Sequence, residues 1–196
     1  KERFEGLKDE AKSLSGADAD KDRLVEIVLR PFVEQADEWH RQRTEFLENV
    51  QAILGAPQQD LWPGFMRALR RDKELPVGTL MGESANLIAI MQQTDVPPGA
   101  RAAADPLLER YEAELDEALL AREQVDLRNQ GPMMRSMASP DEDALAMLFE
   151  RINASVRVRD VNIRYAELLR AALPVEHGER FIDLYRSAAF SSFARD

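Results

Sequence analysis

The side chains best suited to hold a metal or to move a proton near neutral pH are scarce: two histidines, His40 and His177, and no cysteine. The histidines stand in Glu38-Trp39-His40-Arg41 and Val175-Glu176-His177-Gly178, and no HxxxH or HxxE spacing puts two good ligands on one helical face. A zinc site needs three or four converging ligands, so a metal site here would have to be shared between two copies, with His177 from each. Met133, Met134 and Met137 cluster after Gly131-Pro132. Thioethers suit Cu(I), but Met also fills core gaps and makes adaptable contact surfaces. The reading adopted for the three is packing or client and partner contact, with metal sites set at none. Glu112, Asp116 and Glu123 fall on the polar side of a predicted helix. Catalytic carboxylates need a cleft and a perturbed pKa, and an exposed charged face is the simpler expectation. There is no glycine-rich phosphate loop, no GxSxG, no HExxH and no Ser–His arrangement that suggests a nucleophile and its base. The expectation is a non-enzyme with no catalytic residues and no cofactor.

The chain has 196 residues, enough for one domain with a sizeable core. Its formal net charge of −10 argues against general binding to nucleic acid and to anionic lipid, both of which reward basic surface. No apolar run approaches the roughly 20 residues of a membrane span, so stable membrane insertion of this segment is not expected. The first residue is Lys1 and not Met, which leaves room for a signal peptide or anchor before it.

The elements that position these residues read as helices throughout, since no stretch alternates with period two. Phe4, Leu7, Ala11 and Leu14 mark a helix over 1–14, and 15–22 is a polar linker. Leu24, Val28, Phe32, Ala36, Trp39, Phe46, Val50 and Ile53 form the apolar stripe of a helix about 45 Å long, with a kink or a helix start at Pro31 and Gly55 at its end. A first-turn Pro57 opens the next helix, which reaches Lys73 with Pro63 bending it or lying in its opening turn. Residues 24–73 make one repeat unit, and 78–101 reads as an insertion with a loop to Gly82 and a short helix from Glu83 to Gln93. Residues 105–190 form a hairpin and a second repeat. The helix from Asp105-Pro106 buries Leu108, Tyr111, Leu115, Ala118 and Val125 and ends at Gly131-Pro132. A loop to Ala138 follows, then a capping box at Ser139-Pro140-Asp141-Glu142. The helix it opens carries Leu145, Leu148, Ile152, Val156 and Ile163 on its apolar stripe. Its arginines, Arg151, Arg157, Arg159, Arg164 and Arg170, either complement the acidic helix before it or form a basic strip for acidic or unfolded clients, and the first is the simpler expectation.

The chain repeats itself at a constant offset of 119 positions: Phe46, Leu54, Trp62 and Phe65 return as Tyr165, Leu173, Phe181 and Leu184. Each copy is a helix ending at a Leu, a turn, and an amphipathic helix with a polar side chain in its first turn. The corners read Leu54-Gly55-Ala56-Pro57-Gln58 and Leu173-Pro174-Val175-Glu176-His177. They resemble the paired LTxxQ motifs of the Spy/CpxP superfamily of bacterial periplasmic helical proteins. Leu54 and Gln58 match the first and last motif positions, and Gly55 stands where the motif has Thr. In the second copy Leu173 matches, while Pro174 and His177 replace Thr and Gln. The resemblance implies an all-α, periplasmic, often dimeric protein with a role in ATP-independent chaperoning, restraint of envelope stress sensors, or metal sensing. The chain departs from Spy-type chaperones in its acidity and in its insertion.

The residues themselves assign the corner side chains Gln58 and His177 a structural role, bonding free backbone groups at the turn. The expected fold is a single all-α domain of long antiparallel helices with two equivalent corners, each burying its apolar pair: Trp62 with Phe65, and Phe181 with Leu184. The leading functional expectation is an extracytoplasmic protein that binds unfolded clients. The alternative is a structural or assembly subunit that binds a fixed protein partner through the insertion, and metal sensing or buffering ranks third. A homodimer is left open.

Overall fold

Between its prolines and glycines the chain offers strong helix formers almost everywhere, and the computed structural model is all helical. It describes residues 21–138 and 142–190, and within these the side chains of 21–26, 28, 135, 137, 138 and 142 fall outside the description. The expected helix over 1–14, most of the linker after it, and Ser139-Pro140-Asp141 of the capping box lie outside the described residues. Among the described residues eight α-helices follow one another and no strand occurs. They are α1 (Lys21–Ala52), α2 (Ala56–Gln59), α3 (Trp62–Glu74), α4 (Leu87–Gln93), α5 (Pro98–Arg101), α6 (Asp105–Ala138), α7 (Glu142–Ala172) and α8 (Val175–Ala189), with a 3₁₀ turn at Leu75–Val77.

Proline placement explains several boundaries. Pro57 and Pro63 lie in the opening turns of α2 and α3, where a missing N–H leaves no helical bond unmade. Pro31 and Pro132 instead lie inside α1 and α6. Gly131-Pro132 therefore does not end its helix, and the loop expected over 131–138 is helical as far as Ala138. The residue before a proline is normally driven from the helical region by a clash between its Cβ and the proline ring. Gly131 has no Cβ, so only the lost hydrogen bond and the ring clash one turn back remain as costs.

The chain divides into two compact units: Lys1–Asp60 with Asp126–Phe149, and Leu61–Val125 with Glu150–Asp196. The second holds the main hydrophobic core. On α6, Leu108, Tyr111, Leu115, Ala118 and Leu119 are buried, while Val125 is half-buried. They meet Val158, Tyr165, Ala166 and Leu169 of α7 and Phe181, Ile182 and Tyr185 of α8. The insertion belongs to this core: Leu75, Ala85, Leu87, Ile90 and Met91 are buried in it, and α4 packs against α8. Helix α4 begins four residues later than the sequence suggested. Asn86 caps it, accepting the Ala89 N–H at 3.2 Å, and Asp95 in the left-handed region ends it.

Two apolar stripes read from the sequence face the wrong way. Leu145, Leu148, Ile152 and Ile163 are exposed, and the buried positions of α7 include Ala154, Ser155, Val158 and Asn162. Small and polar residues line that helix's inner face, so counting apolar side chains selects the outer one. On α1, Phe32, Trp39 and Phe46 are likewise exposed, as is Ile53 just past its end, while Leu29, Val33, Leu47 and Val50 are half-buried.

The two corners also differ. Gly55 is extended at φ −71° and caps α2 instead of terminating α1 in a left-handed turn. Its N–H donates to Gln58 Oε1 at 3.1 Å. The residue at the same place in the second corner is Pro174, which has no N–H, so His177 has no equivalent donor to accept from. Helix α2 lasts one turn, whereas α8 runs unbroken for 15 residues. The expected burial therefore fails for Phe65, which is exposed; Trp62 and Leu184 are half-buried and Phe181 is buried.

Gly178 allows α8 to close tightly, because a Cβ there would lie 2.6 Å from the Arg170 carbonyl oxygen of α7. Gln59 occupies the matching position of the first corner, exposed, with its amide donating to Leu54 O at 3.1 Å. Gly178→Ala is expected to lower stability by about 1–3 kcal/mol through overpacking. Gly64→Ala, with nothing within 4 Å of the new Cβ in α3, is expected to raise it by up to about 1 kcal/mol. Urea unfolding of both variants checks the pair.

Candidate functional site

The strongest concentration of polar chemistry lies inside the second unit, where α6 and α7 meet the segment 74–87. Arg122 is 0% exposed. Its guanidinium donates to Glu83 Oε1, to the Glu74 carbonyl oxygen and, at 3.3 Å, to Glu74 Oε2. The other oxygen of Glu83 accepts the Thr79 N–H at 2.8 Å and the Leu80 N–H at 3.0 Å. Ser155 also bonds the Glu83 carboxylate and accepts from Arg151 at 2.6 Å. Farther along α7, Asn162 Nδ2 donates to the carbonyls of Gly82 and Glu83, each at 2.9 Å. Tyr111 donates to Asn162 Oδ1 at 3.0 Å and accepts the Leu87 N–H at 3.4 Å. Gly82 makes the sharp turn at φ +82°, and its N–H donates to Ala189 O at 3.2 Å.

Burial alone would push the Glu83 carboxyl up, but the Leu80 N–H, Arg122, Ser155 and the Thr79 N–H outweigh it and hold the group below its ordinary value. Glu74 behaves alike: burial raises it, and Lys73 and Arg122 bring the net shift below the ordinary value. Burial drives the Tyr111 hydroxyl up, so it stays protonated. Each ionised group is committed to a protein partner. The arrangement fastens the insertion to the helices.

A second set of charges straps α3 to α6. Arg71 bonds Glu112 at 2.6 Å, Lys73 bonds Glu123 at 3.0 Å, and Arg70 pairs with Asp116. Glu112, Asp116 and Glu123 are thus half-buried partners of α3 and not an exposed charged face. Of the arginines expected to complement α6, Arg164 does so, pairing with Glu114; Arg170 pairs with Glu179 at 2.7 Å and with Glu167 at 3.5 Å.

The residues singled out from sequence are divided between the two units. Leu54 is half-buried, and Pro57 and Gln58 are exposed, all in the first unit; Leu173 is buried, Pro174 exposed and His177 half-buried in the second. Met133 and Met134 are half-buried on α6, and the Met137 side chain lies outside the described residues. His40 is exposed on α1. Among the described residues no three His, Asp or Glu side chains gather as a metal site, and no helix is long and apolar enough to cross a membrane. Arg122, Glu83, Glu74 and Asn162 were missed. Their sequence signal is positional: Arg122 continues the buried stripe of Leu115 and Leu119, and Asn162 that of Val158 and Tyr165.

The surface adds open apolar faces. Leu145, Leu148 and Phe149, at i, i+3 and i+4 of α7, are all exposed in the first unit. The chain matches no family model, no curated protein and no solved structure.

Arg122→Met is expected to cost about 3–5 kcal/mol, because it strands two buried carboxylates. The lowered positions of Glu83 and Glu74 add stability that is complete above the unfolded value of 4.5 and is lost as pH falls through the lower folded values. Urea midpoints measured from pH 7 down to pH 3 should fall over that range in the wild type. The fall should be shallower in Glu83→Gln.

Proposed function

We propose that the protein is a non-catalytic, extracytoplasmic client-binding protein that shields apolar segments of partly unfolded proteins without ATP. The observation that carries this reading is the exposed face Leu145, Leu148 and Phe149 on α7. Each such side chain contributes about 1.5–3 kcal/mol when covered, enough together for reversible capture. Met133 and Met134, half-buried in the same unit, add adaptable surface. The net charge of −10 keeps a loaded complex dispersed. The likeness of the two corners to the paired motifs of the Spy/CpxP superfamily supports the periplasm as the place of action. The insertion, proposed from sequence as a contact for a fixed partner, spends Ala85, Leu87, Ile90 and Met91 on its own core, which favours clients over that reading.

The test is light scattering from a denatured model protein diluted into buffer without ATP. The wild type should suppress aggregation, and Leu148→Glu with Phe149→Glu should abolish the effect while helicity is retained. Undiminished aggregation at molar excess of the wild type would overturn the proposal.

A further inference from the structure

Helix α1 carries a second open apolar face, of a different kind from that on α7. Phe32, Trp39 and Phe46 are 51%, 66% and 65% exposed, and Ile53, just past the helix end, is 83% exposed. They recur every seventh residue. Seven residues rise about 10.5 Å and fall about 20° short of two turns, so the four side chains make one slowly winding line. Side chains on one face of an extended chain recur about every 6.7 Å, so an unfolded segment does not keep step with that line. A helix with its own apolar heptad does, at a crossing angle near 20°.

The charges beside the line set the sign of the occupant. Glu38 and Glu45 stand one residue before Trp39 and Phe46, so a carboxylate accompanies an aromatic ring in two successive heptads. Glu45 is exposed and makes no ion pair among the described residues. Glu38 pairs with Arg41 and accepts from Gln42 at 2.7 Å; an exposed pair of this kind contributes little and exchanges with an incoming cation. Between the rings and these carboxylates come the uncharged Gln35, Gln42 and Asn49. Arg30 and Arg41, exposed on the same helix, stand about half a turn from the rings. Arg43 is half-buried and has a partner of its own. The whole unit has the same sign: residues 1–60 and 126–149 hold 18 acidic and 11 basic side chains, seven of the chain's ten net negative charges.

We infer that α1 binds a basic amphipathic helix of another protein along the line from Phe32 to Ile53. The fitting partner repeats, every seventh residue, an apolar side chain with a lysine or arginine beside it. Its apolar side chains lie between the rings as anchors. Its long basic side chains cross the amides to Glu38 and Glu45, and the open faces of Trp39 and Phe46 also attract them.

Area argues for a peptide-sized footprint. Three rings of about 150–250 Å², open by half to two thirds, offer roughly 350 Å². A lasting pair of folded surfaces needs about 800 Å² from each side. Two copies of this chain also repel through their like net charge. The inference goes beyond client capture at α7 and does not rest on it, since the face lies on α1 and the occupant is a formed helix.

Three dye-labelled peptides of three heptads each test it. One has a leucine stripe flanked by lysines, one has glutamate for every lysine, and one is the lysine peptide with a central proline. Fluorescence anisotropy with the full chain should show the lysine peptide bound, more weakly as salt rises. Each of the other two should bind at least about tenfold more weakly. Glu38→Lys with Glu45→Lys should weaken the lysine peptide about tenfold. Trp39→Ser with Phe46→Ser should weaken it at least about 30-fold, as loss of a hot spot does. Circular dichroism checks that both variants keep their helices. No binding of the lysine peptide, equal binding of the glutamate or proline peptide, or indifference to either pair of substitutions would overturn the inference. So would a wild type that sediments as a dimer and is made monomeric by Trp39→Ser with Phe46→Ser. Leu148→Glu with Phe149→Glu should leave peptide binding unchanged, so this proposal and client binding at α7 fail separately.

Discussion

The second unit depends on a charge taken wholly out of water. Arg122 stands on the same stripe of α6 as Leu115 and Leu119, where an unpaired guanidinium would be prohibitive. Glu83, Glu74 O and Glu74 Oε2 meet it. Partners so far away in sequence reach it only if 74–87 follows one path across α6 and α7. A buried ion pair gains little net stability over an apolar replacement. Its effect here is geometric, since any other path for the segment leaves a charge stranded. The hydrophobic residues of the insertion would tolerate several docked positions, and the polar contacts select one.

Polar pairing of this kind is dense in the second unit. In the second, carboxylates and arginines are spent on one another, from the α3–α6 strap to the bonds between Arg170 and Glu179. The first carries two apolar faces left open, on α1 and at the start of α7. They differ in grammar. The α7 face is a compact cluster within about one turn, and the α1 face is a long series of fixed period.

The helices, the prolines in opening turns, the all-α class and the buried face of α6 were legible because each is a local property of propensity or spacing. The inner face of α7 was not, since Ser155 and Asn162 occupy core positions and are satisfied by the Glu83 carboxylate and by the Gly82 and Glu83 carbonyls, some 70 to 80 residues away. The stripe of α1 was legible as a stripe but its exposure was not, because periodicity reports that a helix has an apolar face and not what covers it. The corner repeat was visible as a pattern of residue types. Its geometry was not, because it hinges on single atoms: the N–H that Gly55 has and Pro174 lacks, and the Cβ that Gln59 has and Gly178 lacks.

The way the insertion is gripped also bears on how its sequence can drift. Arg122 reaches Glu74 O, Asn162 reaches the carbonyls of Gly82 and Glu83, and Tyr111 bonds the Leu87 N–H. These contacts recognise main chain, which every residue supplies. Glu83 must keep its carboxylate, Gly78 must leave room for that side chain, and Gly82 must make its turn. Pro76, Val77, Thr79, Met81 and Ser84 are exposed and hold no such office. Their identities are free to change over generations, whereas one residue gained or lost between Leu75 and Leu87 would carry the carbonyls out of register with their donors. The contacts thus constrain the segment's length more tightly than the identity of its exposed residues.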